Sequence, residues 1–116
     1  MNKKYRLRKN SDFQYTYKKG RSLGHPLLVM IFRKTNNSNV RVGFSITKKF
    51  GKAVKRNRIK RQLREIIRSR LDNINRGYDI IFVVRKEAAG ALYKDLESAV
   101  HNLLKRGKLY KQSDAE

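Results

Sequence analysis

The residues whose types and spacing are best suited to chemistry are cations concentrated in residues 48–68, which read KKFGKAVKRNRIKRQLREIIR. Arginine can bind two phosphate oxygens at once through its planar guanidinium, and lysine supplies a point charge. Asn57 lies between two arginines, and its amide can donate to and accept from a base edge or a 2′-hydroxyl. A merely solvated helix face would alternate cations with acids, but Glu65 is the sole acid here. The segment therefore predicts a phosphate-binding surface.

The sequence contains no comparable set of residues for protein-based catalysis. Cysteine is absent, which excludes disulfides, thiolate metal sites and thiolate nucleophiles. His25 and His101 have no spacing relation to each other or to a carboxylate cluster, so each is interpreted as structural. Ser45 has no histidine nearby in the sequence, and Gly51 stands alone in a segment that matches no nucleotide-binding loop. We expect no catalytic residue and no metal site in the protein itself.

The charge of the whole chain points to a polyanionic partner. The 116 residues carry 30 lysines and arginines against 9 acids, a net charge of +21. Residues 1–64 hold 20 of these cations and one acid, Asp12, and so account for +19. Repulsion at this density destabilises a compact monomer, and nucleic-acid phosphates relieve it. The absence of carboxylates from residues 13–64 also argues against a nuclease that holds two metal ions in clustered carboxylates.

A helix is predicted over residues 11–19, because Ser11 can cap its N-terminus and Gln14 can close a capping box. Phe13 and Tyr17 are four residues apart and share one face of this helix. Two interpretations of the two rings stay open: they pack the helix on a sheet, or they form a stacking platform for unpaired bases.

Strands follow this helix. Residues 27–33 are mostly apolar, and residues 40–46 alternate between apolar and polar positions. A shorter strand is also indicated near residues 21–24. The polar turn at residues 35–39 predicts that the two longer strands pair as an antiparallel hairpin.

The second half of the chain predicts a helix, a strand and a helix. Residues 55–74 carry an apolar stripe at helical spacing, residues 78–84 form a buried strand, and residues 91–105 form a second amphipathic helix. The tail, residues 111–116, is polar and is expected to fray. On the side of the first of these helices opposite its apolar stripe, a polar stripe consists of Asn57, Arg61, Arg64 and Arg68.

This order of elements favours an α+β fold with helices packed on one face of a sheet, in one domain spanning residues 1–116. The longest apolar runs, residues 27–32 and 80–84, are far shorter than the roughly 20 residues of a membrane helix. The N-terminal residues lack the apolar stretch of a secretory signal, so we expect a cytoplasmic protein without a membrane partner.

The run GKAVKRNRIKRQLRE, residues 51–65, resembles the signature of the bacterial ribonuclease P protein family, with Arg-Asn-Arg at its centre. Further features resemble the family in the same order along essentially the whole chain: Arg6-Leu7, Phe13 and Tyr17, the strand at residues 41–45, and the end of the last helix near Leu109-Tyr110. The resemblance implies a two-layer α/β sandwich of order αβββαβα with a four-stranded mixed sheet. It also implies a left-handed βαβ crossover, whereas general rules favour the right-handed form.

The resemblance further implies which residues bind RNA. The basic helix and its loop would bind through Lys48, Lys49, Lys52, Arg56, Asn57, Arg58, Lys60, Arg61, Arg64 and Arg68. A cleft between the first helix and the sheet would hold a single-stranded 5′ leader, with Lys49 facing it and Arg56 and Asn57 at its edge. That cleft would be lined by Phe13, Tyr17, Ile31, Arg41 and Ser45. Family members can carry an aromatic residue at the position of Ile31, so apolar contact is the expectation there.

The same resemblance implies the activity and the partners. The family's protein binds a catalytic RNA, here expected as a 1:1 protein–RNA heterodimer, and that RNA with its Mg²⁺ ions removes the 5′ leader of precursor tRNA. The protein alone is expected to bind no cofactor and no DNA. The main alternative is a ribosomal or ribosome-associated protein that binds ribosomal RNA. A self-sufficient nuclease would cleave without RNA, and a DNA-binding helix protein would prefer duplex DNA.

Overall fold

Three helices and four strands form in the predicted order in the computed structural model, which describes residues 2–112. In chain order they are helix α1 (Asn10–Lys19), strands β1 (Arg21–Gly24), β2 (Leu28–Lys34) and β3 (Arg41–Ser45), helix α2 (Ala53–Arg68), strand β4 (Tyr78–Val84) and helix α3 (Tyr93–Arg106). Residues 113–116 of the tail that was expected to fray lie outside the described residues. Within that tail, the backbone N–H of Lys111 donates to the carbonyl of Asn73 at 2.8 Å.

The four strands form one mixed sheet in the order β1-β2-β4-β3. β2 pairs antiparallel with β4, and β3 pairs parallel with β4, so the predicted hairpin between β2 and β3 is wrong. The physical reason is burial. β4 is apolar on both faces and most of its residues are buried, which suits a central strand, whereas β3 carries polar residues on one face and lies at the edge. The connection from β3 through α2 to β4 is the βαβ crossover.

The hydrophobic core lies between one face of the sheet and the helices α2 and α3. Alternate residues of each strand point to this face, and all those of β2 and β4 in the core are at most 5% exposed. They pack against the apolar stripes of α2 and α3, which contribute Ile59, Leu63, Ile66, Ile67, Leu96, Ala99, Val100, Leu103 and Leu104.

Helix α1 lies on the opposite face of the sheet, so the expectation that all helices share one face is wrong for α1. The ring of Phe13 rests against Gly43 of β3, where an added Cβ would overlap the ring. Toward its C-terminus, α1 reaches β2, where Gly20 lies against Ile31 and Phe32. α1 therefore crosses the sheet from the β3 edge toward β1.

Two helix ends differ from prediction. α1 begins at Asn10 after Lys9, and no side chain caps it, so the capping box of Ser11 and Gln14 does not form. α2 ends at Arg68, six residues before the predicted end, because the N–H of Arg70 bonds to Ile67 and tightens the last turn.

Candidate nucleic-acid interface

The polar stripe of α2 lies on the helix face opposite the core. Asn57, Arg61, Arg64 and Arg68 are all exposed, as their spacing predicted. Arg68 donates to Glu65 at 2.6 Å, and both side chains are more than half exposed, so the pair is screened by solvent and contributes little stability. Among residues 2–112, no ion pair involves Arg61 or Arg64. The stripe therefore presents cations that the fold itself does not use.

The two arginines that flank Asn57 have different surroundings. Arg56 is half-buried, and its guanidinium donates to the carbonyl of Gly51 at 2.5 Å. This bond ties the loop before α2 to the helix, and that loop carries the exposed Lys48, Lys49 and Lys52. Arg58 is exposed on the other flank of α2. Arg56 thus positions the basic loop, while Arg58 is available to a ligand.

Arg6 and Arg8 add cations that sequence reasoning did not assign to the site. With Lys60 and Arg64 they line a pocket of about 220 Å³ between the N-terminal segment, β3 and α2. The N–H of Leu7 donates to the carbonyl of Val42 at 3.0 Å and holds this segment on the sheet edge. The Nε atom of Arg6 is buried without a hydrogen-bond partner among the described residues. The run KKYRLRK at residues 3–9 was the signal that could have identified them.

The predicted cleft residues meet beside α1. Phe13 is half-buried against Gly43, while Tyr17 is 38% exposed, with the two ring centroids 6.3 Å apart. Ile31 and Ser45 are half-buried on the same sheet face, which α1 covers in part. Of the two open interpretations, packing describes Phe13, whereas Tyr17 presents a ring to solvent. The surface beside α1 therefore carries aromatic, aliphatic and hydroxyl groups.

Arg41, the remaining predicted cleft residue, is committed to the fold. Its guanidinium donates twice to the fully buried Asp79, at 2.8 Å each, and once to Asp12 at 3.3 Å. Hydrogen bonding to Asp79 raises the pKa of Arg41 above its ordinary value. Arg33 also donates to Asp79 at 3.2 Å and to Thr16 at 3.3 Å. This network anchors α1 to the sheet, and an aspartate inside an apolar strand was its sequence signal.

The histidines serve local structure. Nδ1 of His25 accepts the N–H of Leu27 at 3.0 Å, and burial together with the charge of Arg106 lowers the pKa of His25. His101 lies 2.9 Å from the hydroxyl of Tyr110. Within residues 2–112, no three His, Asp or Glu residues are grouped to hold a metal ion, and no helix has the length and apolarity to cross a membrane.

Comparison with known proteins decides which RNA-binding family this surface belongs to. A model of the Ribonuclease P family matches residues 1–108. The chain belongs to the ribonuclease P protein family. It is 42% identical to the ribonuclease P protein component of Clostridium botulinum (strain Langeland), over 93% of this chain and 98% of the relative. The identity is 46% with the component from Alkaliphilus oremlandii, covering 87% and 89% of the two chains.

Solved structures of the ribonuclease P protein family share the fold. The chain matches the RNase P protein of Staphylococcus aureus with a TM-score of 0.86 and 34% identity, over 92% of this chain and 98% of the other. The match to the RNase P protein of Thermotoga maritima has a TM-score of 0.79 and 37% identity, covering 87% and 96%. The fold class and the element order are confirmed, and the crossover is consistent with them. The chain is thus a protein subunit of ribonuclease P, an RNA-based endoribonuclease of tRNA processing, and the ribosomal alternative is not favoured.

Proposed function

We propose that the chain binds ribonuclease P RNA through the basic surface of α2 and holds the 5′ leader of precursor tRNA in the cleft beside α1. Removal of the leader would then give the mature 5′ end of the tRNA. The observation that carries this proposal is the placement of cations and cleft. In residues 2–112, a basic helix face on which Arg61 and Arg64 form no ion pair occurs together with a half-exposed sheet face beside α1.

The RNA subunit would contact the cations that the fold leaves free. Arg58, Arg61 and Arg64 are exposed and can each fork onto phosphate oxygens. Lys60 and Arg64 border the pocket that also holds Arg6 and Arg8, so phosphates there would meet four cations. The loop lysines 48, 49 and 52 extend this surface beyond the start of α2. Asn57 would supply hydrogen bonds to a base edge or a 2′-hydroxyl.

The leader would lie along the sheet face next to α1. Unpaired bases stack on aromatic rings, and Tyr17 presents such a ring. Ile31 offers apolar contact, and the hydroxyl of Ser45 can donate to a phosphate or sugar oxygen. Arg41 would act as a positioning residue, because its ion pairs with Asp79 and Asp12 hold α1 over the sheet.

The chemistry would belong to the RNA. Mg²⁺ ions held by the ribonucleoprotein would supply the hydrolysis, while the protein neutralises phosphates and increases affinity for the substrate. A 1:1 complex of protein and RNA, acting in the cytoplasm, is the simplest assembly for a chain of this size.

The direct test is 5′ cleavage of a precursor tRNA at low Mg²⁺ concentration, with a bacterial ribonuclease P RNA, with the protein, and with both. We expect cleavage at the mature 5′ end to require the RNA and to be enhanced by the protein. Log affinity for the RNA should also fall steeply with log salt, by about 0.7–0.9 per phosphate contact. Cleavage by the protein alone, or no enhancement, would contradict the proposal.

A matched pair of variants tests the cleft. Tyr17 and Tyr93 are exposed to similar extents, 38% and 39%, but Tyr93 starts α3 away from the cleft. In the holoenzyme, Tyr17→Leu should weaken the binding of a precursor tRNA that carries a leader and leave the binding of mature tRNA unchanged. Tyr93→Leu should change neither, and equal effects of the two variants would argue against a leader site beside α1.

A further inference from the structure

A second basic groove, here called the end groove, lies where β2 ends and β4 begins. It runs between the C-terminal ends of α1 and α3 and encloses about 670 Å³. Its lining has no residue in common with the cleft or with the basic surface of α2. The proposed function therefore assigns no ligand to this groove.

The end groove is strongly cationic. Four exposed cations line it, and no carboxylate is among its lining residues: Lys19, Arg21, Lys34 and Lys108. In the described part of the chain none of these four takes part in an ion pair. Four like charges around one depression repel each other, so an anionic ligand would relieve an unfavourable arrangement.

The end groove also contains an aromatic ring that is fixed in place. Tyr15 is 50% exposed, and the guanidinium of Arg33 lies 4.3 Å from its ring centroid. Arg33 is itself held by the buried Asp79 at 3.2 Å and by Thr16 at 3.3 Å. One side of the ring is thus occupied by a fixed cation, and half of the side chain remains open to solvent. Tyr78, half-buried, lines the same groove.

One of the four cations occupies an unusual backbone position. Lys108 has a φ of 58°, in the left-handed region that follows many helix ends and that favours glycine. The glycine stands one residue earlier, at Gly107, where a Cβ would come within 2.9 Å of the Met30 side chain. Core packing therefore explains Gly107, whereas nothing in the core requires a lysine at 108. Its ammonium group adds to the charge of the end groove.

The end groove is separated from the α2 surface by the width of the sheet. Lys60 and Arg64 of α2 lie beside β3, at one edge. Most strand residues of the end groove belong to β1 and β2, on the other side of β4 from β3, and Tyr78 of β4 also lines it. Neighbouring strands are about 4.8 Å apart, so two to three strand spacings put roughly 10–14 Å between the two regions. The two regions share no lining residue.

We propose that the end groove is a second RNA-binding site, which stacks an unpaired base on Tyr15 and pairs the flanking phosphates with Lys19, Lys34 and Lys108. Cations alone would also suit an acidic protein segment. The exposed ring favours RNA, because single-stranded nucleic acid combines phosphates with bases that stack on aromatic side chains. The site extends beyond the proposed function, since neither the α2 surface nor the leader cleft needs it.

The test compares two triple variants in the reconstituted holoenzyme. The groove variant is Lys19→Gln/Lys34→Gln/Lys108→Gln, and the control with the same change of charge is Lys86→Gln/Lys94→Gln/Lys105→Gln, also at exposed positions. Affinity is measured against salt for ribonuclease P RNA and for precursor tRNA binding to the holoenzyme. Three lost contacts should lower the slope of log affinity against log salt by about 2.1–2.7 and the affinity by roughly tenfold or more. Tyr15→Leu should weaken whichever complex the groove variant weakens, without changing the slope of log affinity against log salt.

Each outcome either supports or overturns the proposed RNA site in the end groove. A smaller slope for the RNA subunit, or only for precursor tRNA, supports the site and identifies which RNA occupies it. Slopes equal to the control in both complexes overturn the proposal and leave the end groove to a different anionic partner. Cleavage by the wild-type holoenzyme is measured in the same experiments, as is the salt dependence of RNA binding by the variant Arg61→Gln/Arg64→Gln. If wild type supports no cleavage, the proposed function fails, whereas normal cleavage with unchanged groove slopes rejects the end groove alone.

Discussion

The two faces of the sheet are joined to their helices by different forces. On the face toward α2 and α3, the apolar side chains of β2 and β4 and the apolar stripes of the two helices are at most 5% exposed, and Phe44 of β3 is half-buried. On the face toward α1, Thr16 is the one residue of that helix classed as buried. There α1 is held by the ion pair of Arg41 with Asp12, by the hydrogen bond from Arg33 to Thr16, and by the ring of Phe13 over Gly43. Asp79 fixes both arginines from within the sheet.

Because of this difference, the face toward α2 and α3 stabilises the fold, whereas the face toward α1 leaves room for a ligand. A close-packed apolar interface excludes water and leaves no room for a ligand. Directional polar contacts can instead anchor a short helix at a few points, so part of this sheet face stays half-exposed although Ile81 on it is buried. Ile31 and Ser45 lie on that half-exposed face. The comparison predicts that changes on the α2–α3 face affect stability alone, whereas changes on the α1 face also affect the ligand.

The largest effect is expected from Asp79→Asn. The change removes the charge that pairs with Arg41 and Arg33 at a site with no exposure, so both guanidiniums lose their buried partner. Removing one partner of a buried pair costs about 3–5 kcal/mol of unfolding free energy. Urea denaturation measures this, and the exposed pair changed by Glu65→Gln should cost no more than about 1 kcal/mol.

A variant in the hydrophobic core should lower stability without changing leader binding. Leu63→Ala should cost roughly 2–5 kcal/mol because Leu63 is fully buried between α2 and the sheet. Its preference for a precursor with a leader over mature tRNA should remain as in wild type. Asp79→Asn should lower that preference because α1 loses its anchor, and equal preferences would show that the network does not shape the cleft.

Gly43→Ala comes next. Its Cβ would overlap the ring of Phe13, so α1 must shift, at a cost of about 1–3 kcal/mol. Leader binding should weaken while binding of the RNA subunit is retained. Gly24→Ala on β1 is the matched control, since a Cβ there meets nothing within 4 Å. Similar losses in both variants would mean that the strand backbone, not the seat of Phe13, is responsible.

Arg61→Gln/Arg64→Gln should leave stability nearly unchanged, within about 0.5 kcal/mol, because these side chains are exposed and make no ion pair among the described residues. Affinity for ribonuclease P RNA should fall, and its salt slope should decrease by roughly 1.4–1.8 for two lost contacts. Lys86→Gln/Lys94→Gln, with the same change of charge, should alter neither quantity. An unchanged slope in the arginine variant would place the RNA elsewhere.

The smallest effect concerns His25. Its folded pKa is lowered, so the unfolded chain binds the proton more readily and stability falls as pH drops from above the ordinary value of 6.5 through the folded pKa. Protonation of Nδ1 would also remove the acceptor for the N–H of Leu27. The thermal midpoint should decline between pH 7.5 and pH 5.5 more in wild type than in His25→Asn, whose amide oxygen can replace Nδ1. Parallel declines would exclude His25 as the source.

The sequence by itself determined the elements and the charge. Apolar periodicity placed β4 at Tyr78–Val84 and β2, β3, α2 and α3 to within a few residues, except for the last six residues predicted for α2, because periodicity is local. The position of α1 was predicted from capping residues instead, and its bounds agree to within one residue although the capping box does not form. Periodicity also placed the exposed stripe of α2, since a helix fixes which residues share a face. The run at residues 51–65, with Arg-Asn-Arg at its centre, and further features along the chain carried the resemblance to the family that the comparisons then showed.

Only the tertiary structure decided how these elements combine. Strand order depends on contacts far apart in the chain, so the pairing of β2 with β4 rather than β3 could not be read from a local turn. The commitment of Arg41 to Asp79, 38 residues away, likewise needed the register of β3 on β4. The end groove joins residues from α1, β1, β2, β4 and the end of α3, and their proximity exists only once the sheet has formed.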